Sequence, residues 1–125
     1  MLTDTNFWID VHNELARGMI GPARAFMAQH RATNFKVSII TWGELAAGVD
    51  NQSDLDWLVR RVKILYVPMQ VAWEAGRLEV ELAQTGGRLG ENDNWIAATA
   101  RTWGLRLVTR DLAFARVRAL RVINY

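Results

Sequence analysis

The chain has 125 residues, a mass of 14.2 kDa, half of its residues hydrophobic, 22% charged and no cysteine. That size suits one domain, expected here over residues 1–125, with about two-thirds of the unfolded surface buried. The composition excludes a disordered tail, a collagen-like repeat, a disulfide scaffold, thiolate zinc sites and a cysteine nucleophile. Net charge is +2 with a pI near 9.5, unevenly spread. Residues 101–125 carry six Arg against one Asp, whereas residues 1–100 carry nine basic and twelve acidic groups. Thirteen of the fifteen basic residues are Arg, whose planar fork suits phosphate. A basic segment beside an acidic body hints at a polyanion bound near a carboxylate site.

The opening run MLTDTNFWID has an acid at position 4 and no basic segment or cleavage site, so no signal peptide is expected. No apolar run approaches the roughly 18 residues of a membrane helix, and a soluble, cytoplasmic protein with no membrane partner is the expectation. Met1–Thr3 reads as a very short strand, followed by a helix over 6–16. Pro22–His30 reads as a helix with Pro in its first turn, and Lys36–Ile40 as a β-branched strand. Thr41–Val49 has a helical pattern with Thr41 as the expected N-cap. A short helix over 54–62 leads to a strand at Ile64–Val67, before Pro68. Val71, Ala75, Leu78 and Leu82 then recur at spacings that mark one apolar helix face, stopped by Gly86–Gly87. Residues 93–103 form the next helix, Leu105–Thr109 a strand, Leu112–Ala119 a short helix and Arg121–Asn124 a last strand. Strands alternating with helices predict an α/β fold, a parallel sheet covered on both faces.

In such a sheet, ligands bind beyond the carboxyl ends of the strands. Asp4 follows the first strand, Glu44 lies one turn beyond Thr41, Asp93 starts the penultimate helix and Asp111 follows LRLVT. Thr5, Asn6, Asn92 and Thr109 accompany them. Each acid alone has a plain structural role: Asp4 and Asp111 as helix caps, Asp93 facing a helix dipole, Glu44 exposed on a helix. Together they need a counterion. Two unit charges about 4 Å apart repel by about 4 kcal/mol at an effective dielectric near 20, a large part of a domain's roughly 5–15 kcal/mol of stability. Oxygen ligands without Cys or His select Mg²⁺ or Mn²⁺, ions that act on phosphate esters.

Four segments carry a family resemblance: LTDTNFWID (2–10), SIITWGELAAGV (38–49), ENDNWIAATARTWGLRLVTRD (91–111) and FARVRALRVINY (114–125). In this order they resemble the PIN-domain nucleases, and among them the VapC-type toxins of prokaryotic toxin–antitoxin pairs. The resemblance implies a three-layer α/β/α domain on a mostly parallel five-stranded sheet. It implies Mg²⁺- or Mn²⁺-dependent endoribonuclease activity, on a tRNA or a ribosomal RNA loop, and control by a cognate antitoxin that wraps a groove and places a basic residue in the acidic site. Asp4, Glu44, Asp93 and Asp111 fall on the family's acidic positions, with Asp4 and Asp93 as principal ligands. Asn6 and Thr109 match its polar helpers. Many relatives carry a further acid where Ala113 stands here, and Asp111 is often Asn.

Six Trp is a high count. Trp95 and Trp103 are expected in packing, while Trp42 and Trp73 are candidates for a homodimer interface, as in relatives. Arg110, Arg116, Arg118 and Arg121 are candidates for phosphate contact, and His12 and His30 have no partner at ligand spacing. Two other functions fit the same elements: a catalytically silent PIN-like binding module, and a metal-dependent DNA nuclease or phosphatase.

Overall fold

Short β-branched and apolar runs become five parallel strands in the computed structural model, which describes residues 1–125. They are β1 (Leu2–Thr3), β2 (Phe35–Ser38), β3 (Val62–Leu65), β4 (Leu107–Val108) and β5 (Val122–Ile123), in the order β3-β2-β1-β4-β5. Six helices surround them: α1 (Thr5–Ala16), α2 (Pro22–Gln29), α3 (Ile39–Ala46), α4 (Asp56–Val59), α5 (Met69–Gln84) and α6 (Glu91–Thr102).

Alternation along each strand divides the interior into two layers. Leu2 and Leu107 point to one face, where Leu78 and Leu82 of α5, Ile96 and Ala100 of α6, and Phe114 complete a core. Val37 and Val108 point to the other, against Phe7, Trp8 and Val11 of α1, Phe26 of α2 and Leu58 of α4. The predicted α5 stripe Val71, Ala75, Leu78 and Leu82 is buried throughout. Gly86 takes φ +68° just past Thr85, the left-handed conformation that ends a helix at little cost for glycine.

Several boundaries move. The N-cap of α3 is Ser38, not Thr41: Ser38 Oγ accepts from Thr41 N–H at 3.0 Å and donates to Thr41 Oγ1 at 3.1 Å. Strand therefore passes directly into helix, and Thr41 is a buried first-turn residue. The helix expected over 54–62 is a 3-10 turn (Gln52–Leu55) followed by α4, because β3 already begins at Val62. The helix expected over Leu112–Ala119 is a 3-10 turn over Leu112–Arg116. Asp111 there accepts from Ala113 N–H at 2.7 Å, and Val117 is extended and buried.

Glu14 locks the first two helices together. It is 9% exposed and accepts from the backbone N–H groups of Gly21, Ala23 and Arg24 at 2.9–3.1 Å. This occupies the start of α2, where Gly21 offers no side-chain cap. Glu14→Ala is expected to lower stability by about 2 kcal/mol through loss of these charge-assisted bonds, read as a lower midpoint in urea unfolding followed by circular dichroism.

Candidate active site

β1 lies at the centre of the sheet, with β2 and β3 on one side and β4 and β5 on the other. The chain leaves β1 in one direction and returns through β4 in the other, so the β1/β4 boundary is a topological switch point, where open α/β sheets bind ligands. Asp4 stands at the end of β1 and caps α1, its Oδ1 accepting from Phe7 N–H at 2.9 Å. Thr109, just past β4, donates its hydroxyl to Asp4 Oδ2 at 2.5 Å. The same Thr109 oxygen accepts from Asp111 N–H at 2.9 Å. One hydroxyl thus ties the ends of two neighbouring strands to two acids.

Glu44 reaches the same end from α3. Its Oε1 accepts from Asn92 Nδ2 at 2.9 Å, and its Oε2 accepts from Thr5 Oγ1. Asp93 lies in the first turn of α6, where the helix dipole favours an anion. Asn6, expected among the polar helpers, is exposed on the first turn of α1, and it is Thr5 beside it that bonds Glu44. Thr5 and Asn92 are legible in the sequence as polar neighbours of the acids; their shared partner is not.

The acids feel one another. Asp4 is 3% exposed, and its pKa is pushed up from 3.8 to about 6. Burial is the main cause; the bonds from Thr109 and Phe7 N–H oppose it, and the charges of Asp93 and Asp111 add to it. Asp93 is raised by burial, then by Asp111 and Glu44. All four carboxylates therefore share one electrostatic neighbourhood. No group of three is arranged to hold a metal ion as the side chains stand. The bonds explain this: Asp4, Glu44 and Asp111 turn oxygens toward hydroxyl, amide or backbone donors. The donor chemistry still fits a hard divalent cation, since the neighbouring ligands are carboxylate oxygens, and a buried anion such as Asp4 has no cation paired with it.

A second cluster borders this one. Asp10 Oδ2 accepts from Tyr125 Oη–H at 2.8 Å and pairs with Arg110 Nη1 at 3.1 Å. Burial and the bond to Asp10 drive the Tyr125 phenol far up, with Asp4 and Asp10 charges adding. Sequence reasoning missed Asp10 and Tyr125; their separation of 115 positions leaves no local signal. Arg110 is thus held beside the site. Arg121 is spent on the Gly104 carbonyl at 2.7 Å; Arg116 and Arg118 border a separate hollow with Glu81 and Thr85.

The tryptophans divide differently from expectation. Trp95 is half-buried against Val71, Ala75 and Ala98, as expected. Trp103 does not pack: it follows α6 and is 50% exposed. Trp42 packs half-buried against the second core, whereas Trp73 is 71% exposed. His12 is exposed, and His30 stacks on Phe26.

A layered α/β/α fold with an acid cluster at the switch point defines a nuclease-like domain, and comparison with known proteins places it. The family model described as the PIN domain matches residues 1–120. "Ribonuclease VapC2" of Haemophilus influenzae is 38% identical over 97 residues, covering 71% of this chain and 74% of that protein. "tRNA(fMet)-specific endonuclease VapC" of Salmonella typhimurium is 31% identical over the same shares. The crystal structure of VapBC2 from Rickettsia felis, bound to a promoter DNA fragment, matches with a TM-score of 0.85 at 25% identity, covering 98% of this chain and 96% of that one. The chain belongs to the PIN-domain family and, within it, to the VapC-type ribonucleases.

The raised Asp4 pKa fixes the sign of a pH effect. The folded chain holds this proton more tightly than the unfolded chain, so the stabilisation is complete below pH 3.8 and is lost as pH rises through about 6. In chelator at pH 7.5, Asp4→Asn is expected to be more stable than the parent by on the order of 2–3 kcal/mol. The gap should close toward pH 4 in chemical unfolding curves; a gap independent of pH would contradict the assignment.

Proposed function

We propose that residues 1–125 act as one nuclease domain, the toxin of a type II toxin–antitoxin pair. Its substrate is structured RNA, such as a tRNA or a ribosomal RNA loop, cleaved with Mg²⁺ or Mn²⁺ held by Asp4, Glu44, Asp93 and Asp111. The observation that carries this reading is the buried Asp4 carboxylate, with its pKa near 6 and Asp93 and Asp111 charges around it. An ionised cluster of this kind is stable at neutral pH with a divalent ion and costly without one. The likeness to a tRNA-specific endonuclease supports the substrate class.

A divalent ion there would supply Lewis acidity toward a phosphoryl oxygen and the attacking water. The chain's own groups do the rest. Thr109 and Phe7 N–H fix both oxygens of Asp4, which sets the angle at which it faces the ion. Thr5 and Asn92 hold Glu44 in the same way from α1 and α6. Asp93 has no hydrogen bond among the influences on its pKa, which leaves it the freest acid to bind metal. Asn6 is exposed on the first turn of α1, and on this reading its role would be contact with RNA rather than with the ion.

The antitoxin reading has a structural counterpart. A largely apolar groove of about 340 Å³ between α1, α3 and the 52–55 turn is lined by Trp8, Ile9, Leu45, Leu55 and Trp57, with Glu44 and Asp54 as the acids of its lining. An apolar antitoxin segment ending in a basic side chain fits it, with the cation replacing metal charge at Glu44. The neighbouring VapBC complexes support such a partner. For the homodimer, Tyr66, Met69 and Trp73 are each at least 71% exposed around the start of α5, an apolar patch suited to a second copy. No helix is long and apolar enough to cross a membrane, and an RNA substrate fits the expected cytoplasmic setting.

Asp4→Asn and Asp93→Asn are each expected to reduce Mn²⁺-dependent cleavage of total RNA at least about 100-fold, the scale of losing one electrostatic group at a reacting centre, with the fold intact by circular dichroism. Full activity in both would overturn the mechanism. Trp73→Glu is expected to shift the mass measured by light scattering from dimer to monomer.

A further inference from the structure

The sheet is electrically polarised along its strands. The carboxyl ends carry the acids. The amino ends carry cations: Lys36 in β2, Lys63 in β3 with Arg60 and Arg61 just before it, Arg106 just before β4 and Arg121 just before β5. Arg60, Arg61, Lys63 and Lys36 line an open cleft of about 490 Å³ together with Asn34 and Val62, and no acid lines it. The ion pairs of the molecule use Arg88, Arg101 and Arg110, so none neutralises this cleft.

Register makes the crowding specific. Lys36 and Lys63 are direct cross-strand partners. Their neighbours Phe35, Val37, Val62 and Ile64 all pack into the α1/α2 layer, so both lysines leave the opposite face side by side. Like charges directly opposite one another destabilise a ladder. A lone Lys on β3, the edge strand, would serve as a guard against edge pairing. Lys36 lies on the inner strand and has no such use. Arg61 is also pre-placed, donating to the Trp57 carbonyl at 2.9 Å with its guanidinium 5.9 Å from the Trp57 ring centre.

We propose that this cleft binds the phosphodiester backbone of the structured RNA substrate at a second point, away from the site of cleavage. The inference rests on the ribonuclease reading. β2 has four residues, so about 13 Å of strand separates the two ends of the sheet. That is well under the roughly 34 Å of one duplex turn. A folded RNA lying along the β3 edge therefore spans both ends, while a single strand of only two or three nucleotides engages the acids alone. The cations hold and orient the RNA; they touch no reacting atom.

The test uses the full chain and unfractionated tRNA in chelator, with binding followed by fluorescence anisotropy across a salt series. The triple variant Lys36→Gln, Arg60→Gln, Lys63→Gln is expected to weaken binding about 10-fold. The slope of log K against log salt should fall by about 2, since each phosphate contact contributes about 0.7–0.9. Lys63→Glu gives a second reading in a chain whose β2–β3 ladder gains an opposite-charge pair, so weaker binding there is not loss of fold. Lys36→Arg with Lys63→Arg should retain affinity. Unchanged affinity and slope in the triple variant and in Lys63→Glu would overturn the proposal and assign the cations to an acidic protein instead. Mn²⁺-dependent cleavage of a single-stranded RNA that short reports the acid cluster separately. It should be equal in parent and triple variant, and a parent inactive on both RNAs would sink the ribonuclease reading rather than the cleft.

Discussion

Asp4 is the constraint around which the rest is arranged. A carboxylate 3% exposed sits where the central strand ends and a helix begins. Its two oxygens are satisfied by a backbone N–H and a threonine hydroxyl, both neutral donors. Neutral donors lower the pKa, but not enough to offset burial and the neighbouring acids. The result is a carboxyl group whose pKa is raised to about 6. Burying a helix cap in this way carries a desolvation cost that a cap at the surface avoids.

The structural roles of these acids and the chemical role proposed for them rest on the same feature. Asp4 caps α1, Asp111 caps the 112–116 turn and Asp93 occupies the first turn of α6. α1 and the 112–116 turn start where strands end, at the carboxyl edge, whereas α6 follows α5 and its first turn meets that edge through the Asn92–Glu44 bond. Each favours an anion through its free N–H groups and dipole. The fold thus lowers the cost of gathering acids at one end. Thr109 bonds the Asp4 carboxylate and the Asp111 backbone N–H, and Thr5 with Asn92 fixes Glu44, so the Asp4 and Glu44 side chains are oriented by the protein's own groups.

Much of this was legible in the sequence because it depends on order along the chain. Acids one or two residues after β-branched runs predict which edge they share, and the α5 stripe has the period of a buried helix face. What the sequence hid depends on distance through space. Ser38 rather than Thr41 caps α3 because β2 runs straight into the helix without a loop, and both residues are plausible caps in isolation. Trp103 reads as core by composition, yet it follows the last turn of α6 and has no layer to face. The Asp10–Arg110–Tyr125 cluster joins positions far apart in the chain, and the Lys36–Lys63 pair exists only once β2 and β3 are aligned in register.

Charge separation along the strands bears on the proposed binding of RNA. An acid cluster by itself repels a polyanion, and the local field at the carboxyl edge is negative until a cation is present. The net charge of +2 conceals this. Cations at the far edge lie within about two Debye lengths of the acids at physiological salt, taking about 13 Å of strand against a length of about 8 Å. On the proposed ribonuclease reading they would attract RNA to the molecule without neutralising the site at contact range. A uniform basic surface would serve attraction equally well but would pair with the acids and neutralise them. Placing the two signs at opposite ends of one short sheet leaves Asp4, Glu44, Asp93 and Asp111 without basic partners, which the polarity of the fold records and its net charge does not.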